Sequence, residues 1–187
     1  MSETIDVMAK RHGCTVTWRP MLLFAVLRAL GLPAPLEHPV KRDYMLADFE
    51  RSASFLGIDY RMPPKFPVIT PYAARAFYLL ADQAPDSAVP FAHAVMRSYW
   101  RDGQDITDIG LISDLVYTIG WNVGSVVQIG EHLRGDAAKA RLQDAVSAAV
   151  ARRVFGSPFV IVDGEPFFGM DRLPQIEARL SRVVGAG

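Results

Sequence analysis

The chain has 187 residues, half of them hydrophobic, and its 20 Lys and Arg balance 20 Asp and Glu. That length suits a single domain or a small domain carrying an insertion, and the balanced charge excludes the basic field that would hold nucleic acid or an anionic membrane. The single cysteine, Cys14, excludes an internal disulfide, a Cys-x-x-Cys redox centre and a zinc site built from several thiolates.

The N-terminus, MSETIDVMAKRHG, is polar and carries acids, unlike a secretory signal. No apolar run reaches the roughly 18 to 20 residues that span a bilayer, so a cytoplasmic protein is expected. Residues 3–12 set Ile5, Met8 and Ala9 on one helical face, with Ser2 as N-cap and Gly13 as the stop. Residues 14–19 alternate and carry β-branched side chains, which predicts a strand limited by Pro20. Residues 21–30, MLLFAVLRAL, are apolar nearly all round and predict a short buried helix or irregular packed segment ending at Gly31, followed by a Leu32-Pro-Ala-Pro35 loop.

Helical patterns follow near residues 41–56, 71–83, 87–101, 108–119, 122–133 and 136–153, divided by Gly57, Pro63-Pro64, Phe66-Pro67 and Asp102-Gly103. Pro158-Phe-Val-Ile-Val162 and Glu165-Pro-Phe-Phe168 then flank Asp163-Gly164, a tight-turn pair between apolar runs, and predict a β-hairpin. Asp171 opens a last helix to about Val183. This order is that of an α/β thioredoxin-like core whose first strand is missing, with a large all-helical insertion: residues 1–40 and 137–187 give the core and residues 41–136 the insertion. By itself, order gives topology and not activity.

Gly156-Ser-Pro-Phe-Val-Ile-Val-Asp-Gly-Glu-Pro-Phe-Phe-Gly-Met-Asp-Arg172 resembles the glutathione-binding end of 2-hydroxychromene-2-carboxylate isomerases and kappa-class glutathione transferases. Arg19-Pro-Met-Leu-Leu23, Pro39-Val-Lys-Arg-Asp-Tyr-Met45, Pro63-Pro-Lys-Phe-Pro67 and Trp100-Arg-Asp-Gly-Gln-Asp-Ile106 look like further landmarks of that family, in order along nearly the whole chain. The resemblance implies a cis bond before Pro158, which would turn the Ser157 N–H and C=O towards the cysteinyl backbone of glutathione as a short added strand. A proline that merely starts an edge strand is the plainer reading of Ser157-Pro158 alone.

By the same resemblance Phe168, Gly169, Met170 and Asp171 line the glutathione pocket, the Asp171 carboxylate receiving the γ-glutamyl ammonium. An ordinary N-cap is the competing role for that aspartate. Arg172 either adds charge complementarity to an anionic tripeptide or is a solvated helix-end cation. Gly31, Leu32, Lys41 and Arg42 occupy the region that holds glutathione from the opposite side. Leu32 departs from the Asn usual in the family and lacks an amide's donor and acceptor, and Ile69 is a similar polar-to-apolar change. His12, His38, His93 and His132 share no metal-ligand spacing and read as isolated surface or satisfied histidines. Phe77, Tyr78, Phe91, Tyr99 and Trp100 read as core, and Cys14 as a small buried hydrophobe.

The family opens with a strand and a Ser-Pro turn whose serine, at a helix N-terminus, stabilises the thiolate of glutathione. This chain starts inside the corresponding helix, so the resemblance places the catalytic serine and first strand upstream of Met1 and no catalytic residue within the chain. Without that strand, residues 15–19 are expected to lack a central partner and stability to suffer. The function implied is a glutathione-dependent isomerase of aromatic compound degradation, with glutathione as cofactor, a small aromatic carboxylate as substrate and a homodimeric assembly. A kappa-like transferase and a catalytically impaired glutathione-binding protein are the alternatives.

Overall fold

The computed structural model of the chain describes residues 1–119 and 125–184. Helix α1 (Ser2–Arg11) buries Ile5, Met8 and Ala9, the face set by their spacing, and ends before Gly13, whose φ of 64° suits a residue without Cβ. Ser2 is not its cap: Met1 holds the N-cap position, Ser2 is the first helical residue, and no side chain closes the helix start. Residues 14–19 do not form the expected strand. Their burial alternates, with Cys14, Val16 and Trp18 inward and Thr15, Thr17 and Arg19 exposed, yet no ladder partner lies beside them among the described residues. The side-chain period of a strand is present without its hydrogen bonds.

Helix α2 (Leu23–Ala29) buries only Val26 and Leu27, less than its apolar composition predicts. Helix α3 (Pro39–Phe55) carries no buried residue and leans on the rest through Phe49, whose ring meets Phe66 and Trp100 edge-on at 5.8 and 5.9 Å. Helix α4 (Pro71–Gln83) is the opposite case. Ala73, Ala74, Ala76, Phe77, Tyr78, Leu79 and Leu80 are all buried, because α4 is enclosed by α5 (Pro85–Trp100), α6 (Ile109–Thr118), α7 (Val126–Arg134) and α8 (Asp136–Ala151). Small alanines let those neighbours approach closely while Phe77, Leu80, Phe91, Ile112, Ile129 and Leu133 fill the core. The start expected for α7, residue 122, lies outside the described residues; from Ser125 the helix is closed by a capping box with Gln128.

Strands β1 (Phe159–Val162) and β2 (Glu165–Phe168) pair antiparallel, Phe159 opposite Phe168 and Val162 opposite Glu165. Asp163 and Gly164 turn at φ 47° and 83°, the two left-handed positions of a type I′ hairpin. A 3-10 turn (Met170–Arg172) then leads into α9 (Leu173–Val184). The inner face of the hairpin and α9 meet α1 in a second core of Ile5, Met8, Phe167, Ile176 and Leu180. This is an α/β thioredoxin-like architecture with a helical insertion. Among the described residues no helix is long and apolar enough to cross a membrane.

Two smaller readings change. Cys14 is half-buried, its thiol donating to the His12 carbonyl at 3.4 Å. His93 is half-buried: Nδ1 faces Glu3 Oε2 at 3.9 Å, while the buried Nε2 has no hydrogen-bond partner among the described residues.

Ile176, fully buried between hairpin and helices, should cost about 2 to 4 kcal/mol when cut to alanine, read as a lower urea midpoint at unchanged slope. Phe55, 89% exposed on α3, should change stability by less than about 0.5 kcal/mol when replaced by serine. Equal losses at the two positions would contradict the division between core and α3.

Candidate functional site

The peptide bond between Ser157 and Pro158 is cis, as is that between Phe66 and Pro67. Ser157 is exposed, and its main-chain N–H and C=O have no hydrogen-bond partner among the described residues. The Pro158 carbonyl accepts from the Gly169 N–H at 3.1 Å, which closes the mouth of the hairpin and sets Ser157 beside the turn of residues 168–172. Phe168 lies over Gly156, where a Cβ would overlap its ring. Phe155 completes an aromatic group, edge-on to Phe159 and Phe168 at 5.2 and 5.1 Å.

Gly169 has φ 98°, and a Cβ there would stand 2.5 Å from Asp171 Oδ1. Only glycine brings the backbone this close to the carboxylate. Asp171 itself is not the cap of α9. It lies in the 3-10 turn, makes no cap hydrogen bond, and takes one from Arg172 Nη2 at 2.9 Å. Arg172 also reaches Gln175 Oε1 at 3.4 Å; it is the partner of Asp171, and its side chain remains 43% exposed.

The second group of expected residues lies along a trough. One cavity of about 530 Å³ is lined by Phe24, Leu27, Arg28, Gly31, Leu32, Pro33, Ala34 and Glu37. The adjoining one, about 440 Å³, shares Phe24, Ala34 and Glu37 and continues to Leu36, Arg42, Leu46, Phe66 and Pro67. Gly31, Leu32 and Arg42 are thus brought together, whereas Lys41, exposed on α3, and the whole Ser157 to Arg172 group line neither cavity. Sequence reasoning missed Phe24, Arg28, Glu37 and Phe66. The available signals were a lone arginine in the apolar run 21–30 and an aromatic in Pro63-Pro-Lys-Phe-Pro67, read as punctuation and as a family landmark but not as a site residue.

The loop that presents Phe66 is braced from behind. Tyr99 donates its hydroxyl to the Lys65 carbonyl at 2.8 Å, and burial, reinforced by Asp105 and Tyr60, pushes that phenol up to about 12. Lys65 reaches Asp105 at 3.0 Å, and hydrogen bonds from Thr107 and Lys65 hold the Asp105 carboxyl down to about 2.

Residues 1–181 match the model of the DSBA-like thioredoxin domain. The chain belongs to that family. Among its relatives, a 2-hydroxychromene-2-carboxylate isomerase of Sphingobium xenophagum is 29% identical over 175 residues, 92% of this chain and 86% of that protein. Glutathione s-transferase kappa 2 of Caenorhabditis elegans is 25% identical over 86% of this chain and 76% of its own. A solved structure of a 2-hydroxychromene-2-carboxylate isomerase superposes with a TM-score of 0.83 at 26% identity, covering 97% of this chain and 87% of that one.

Within this family member, Gly156 is the seat of Phe168. Gly156→Ala should drive the half-exposed ring outward, abolishing NOEs between the Phe155 and Phe168 rings while lowering stability by no more than about 1 kcal/mol, since the ring can swing into solvent. Persisting ring contacts would show that the seat is not needed.

Proposed function

We propose that this protein is a glutathione-dependent isomerase of the 2-hydroxychromene-2-carboxylate type, acting in aromatic compound degradation in the cytoplasm. The observation that carries the reading is the Ser157 main chain, an N–H and C=O pair with no partner among the described residues; the next residue, Pro158, is bonded to Gly169, which lies close to the Asp171 carboxylate. Such a pair matches the backbone of a peptide laid alongside as a strand, and a carboxylate 67% exposed matches the ammonium of a γ-glutamyl group. The donor set therefore fits glutathione. When bound, glutathione supplies the thiol for nucleophilic catalysis.

In this reading Ser157 and Pro158 hold the tripeptide backbone, and Asp171 holds its ammonium while Arg172 fixes the carboxylate from the other side. Phe168, Gly169 and Met170 shape the pocket wall. Gly31, Leu32, Lys41 and Arg42 face the ligand from the opposite side, Lys41 and Arg42 favouring its negative charge and Leu32 giving only apolar contact. No residue of the chain is assigned a catalytic role, and the substrate is a small aromatic carboxylate. A homodimer is part of the proposal, supported by α3, which buries nothing and leaves Val40, Tyr44 and Phe55 exposed.

Kappa-like transfer is the second reading, favoured by the Caenorhabditis elegans relatives; a catalytically impaired glutathione-binding protein is a third, favoured by Leu32. An isomerase changes the ultraviolet spectrum of a chromene carboxylate without consuming glutathione, a transferase depletes glutathione in step with product, and an impaired protein binds glutathione with neither change. Asp171→Asn should weaken glutathione about tenfold in calorimetry, and more than Arg172→Gln does. Unchanged affinity in Asp171→Asn would leave Asp171 as nothing more than the partner of Arg172.

A further inference from the structure

Seven residues, LFAVLRA, make up α2, and Arg28 is the only charged one. Phe24, Leu27, Arg28 and Gly31 stand at i, i+3, i+4 and i+7, one face of a helical path, and all four line the larger cavity. Arg28 is exposed at the edge of this otherwise apolar face and makes no ion pair or hydrogen bond among the described residues, so its guanidinium is open to an anionic ligand. The single acid on the trough wall, Glu37, turns Oε2 to the Ala34 N–H at 3.2 Å. At the far end Arg42 has Asp43 beside it at 3.5 Å. Arg28 is therefore the one cation of the trough without a protein partner in that set.

We propose that Arg28 receives the carboxylate of an aromatic ligand whose ring lies against Phe24, Leu27, Leu32 and Pro33, and so determines which aromatic acids the protein accepts. The assignment rests on the isomerase reading for its substrate class. A guanidinium binds a planar carboxylate through two parallel N–H···O bonds, and the open trough leaves room for a ring against Phe24, Leu27, Leu32 and Pro33. Leu32, 42% exposed, then has a positive role, giving apolar contact to the ring's edge. The glycyl carboxylate of glutathione offers Arg28 the same chemistry, but a polar tripeptide gains little from those apolar walls, and the ring-bearing acid is the better match.

The test uses the full chain and needs no turnover. Binding of 1-naphthoate and of neutral 1-naphthamide is measured by ligand-observed NMR titration in the native protein, Arg28→Met and Arg28→Lys, with S-methylglutathione as a third probe. The native protein should prefer naphthoate. Arg28→Met should lower naphthoate affinity about tenfold, leave naphthamide unchanged and so erase the preference, while Arg28→Lys keeps part of it because charge remains without the fork. Naphthoate affinity unchanged in Arg28→Met overturns the proposal, and so does a loss confined to S-methylglutathione, which would give Arg28 to the tripeptide. Isomerisation with KM untouched by Arg28→Met would keep the isomerase reading and remove this assignment. Failure to isomerise, with naphthoate preference still dependent on Arg28, would remove the isomerase reading and keep it.

Discussion

Trp18 is where the two apolar cores meet, and the position of the trough depends on it. Its side chain packs against both the α4-centred core and the one between hairpin, α1 and α9. An indole half-buried between two cores still needs a partner for its N–H, and here Nε1 donates to both oxygens of Asp6 on α1, at 3.2 and 3.1 Å. The edge of the ring meets His93 on α5 at 5.4 Å. One side chain thus ties the first helix to the helical block. Two residues on, the Pro20 carbonyl accepts the Tyr78 hydroxyl at 2.7 Å, fixing the entry to α2 against α4. The rotation of α2, and with it the direction of Phe24 and Arg28, follows from these two anchors.

The same segment shows what a sequence pattern encodes. Alternation in residues 14–19 correctly gives the faces, because side-chain direction is a property of an extended backbone. It does not give the hydrogen bonds, which need a neighbour that the local sequence cannot supply. The hairpin was legible for the converse reason. Asp163-Gly164 is both turn and register, so β1 and β2 carry their pairing instructions in adjacent residues.

Helical spacing likewise located α4, where apolar residues on every side announce a helix enclosed by others, but overstated the burial of α2, whose composition is just as apolar. The difference lies in what surrounds each helix: α4 has neighbours all round, while α2 turns one face to the trough. The competing role for Asp171, an ordinary N-cap, is not taken up, because the carboxylate pairs with the arginine next to it instead. Arg28 and Phe66 were not among the expected site residues because a cavity is made by elements distant in sequence, and their local signals, a lone arginine in an apolar run and an aromatic beside a proline, do not say what each residue faces.

The expected ligand residues fall into two kinds with different consequences for recognition. Ser157 offers main-chain atoms, and a main-chain N–H and C=O accept any extended peptide whatever its side chains. Discrimination at that end must come from what surrounds the pair: Phe168, held over Gly156 because no Cβ intervenes, and Asp171, held close to Gly169 for the same reason. In the proposed glutathione site, two glycines would therefore set the specific part, and the main-chain pair the unspecific part. In the trough the order is reversed. Leu27, Leu32 and Pro33 provide contact without direction, since apolar attraction has none, and orientation falls to the few charged atoms along the wall. Under the proposed assignment, a change at Leu32 would alter how strongly a ring is held there, whereas a change at Arg28 would alter which way the ring faces.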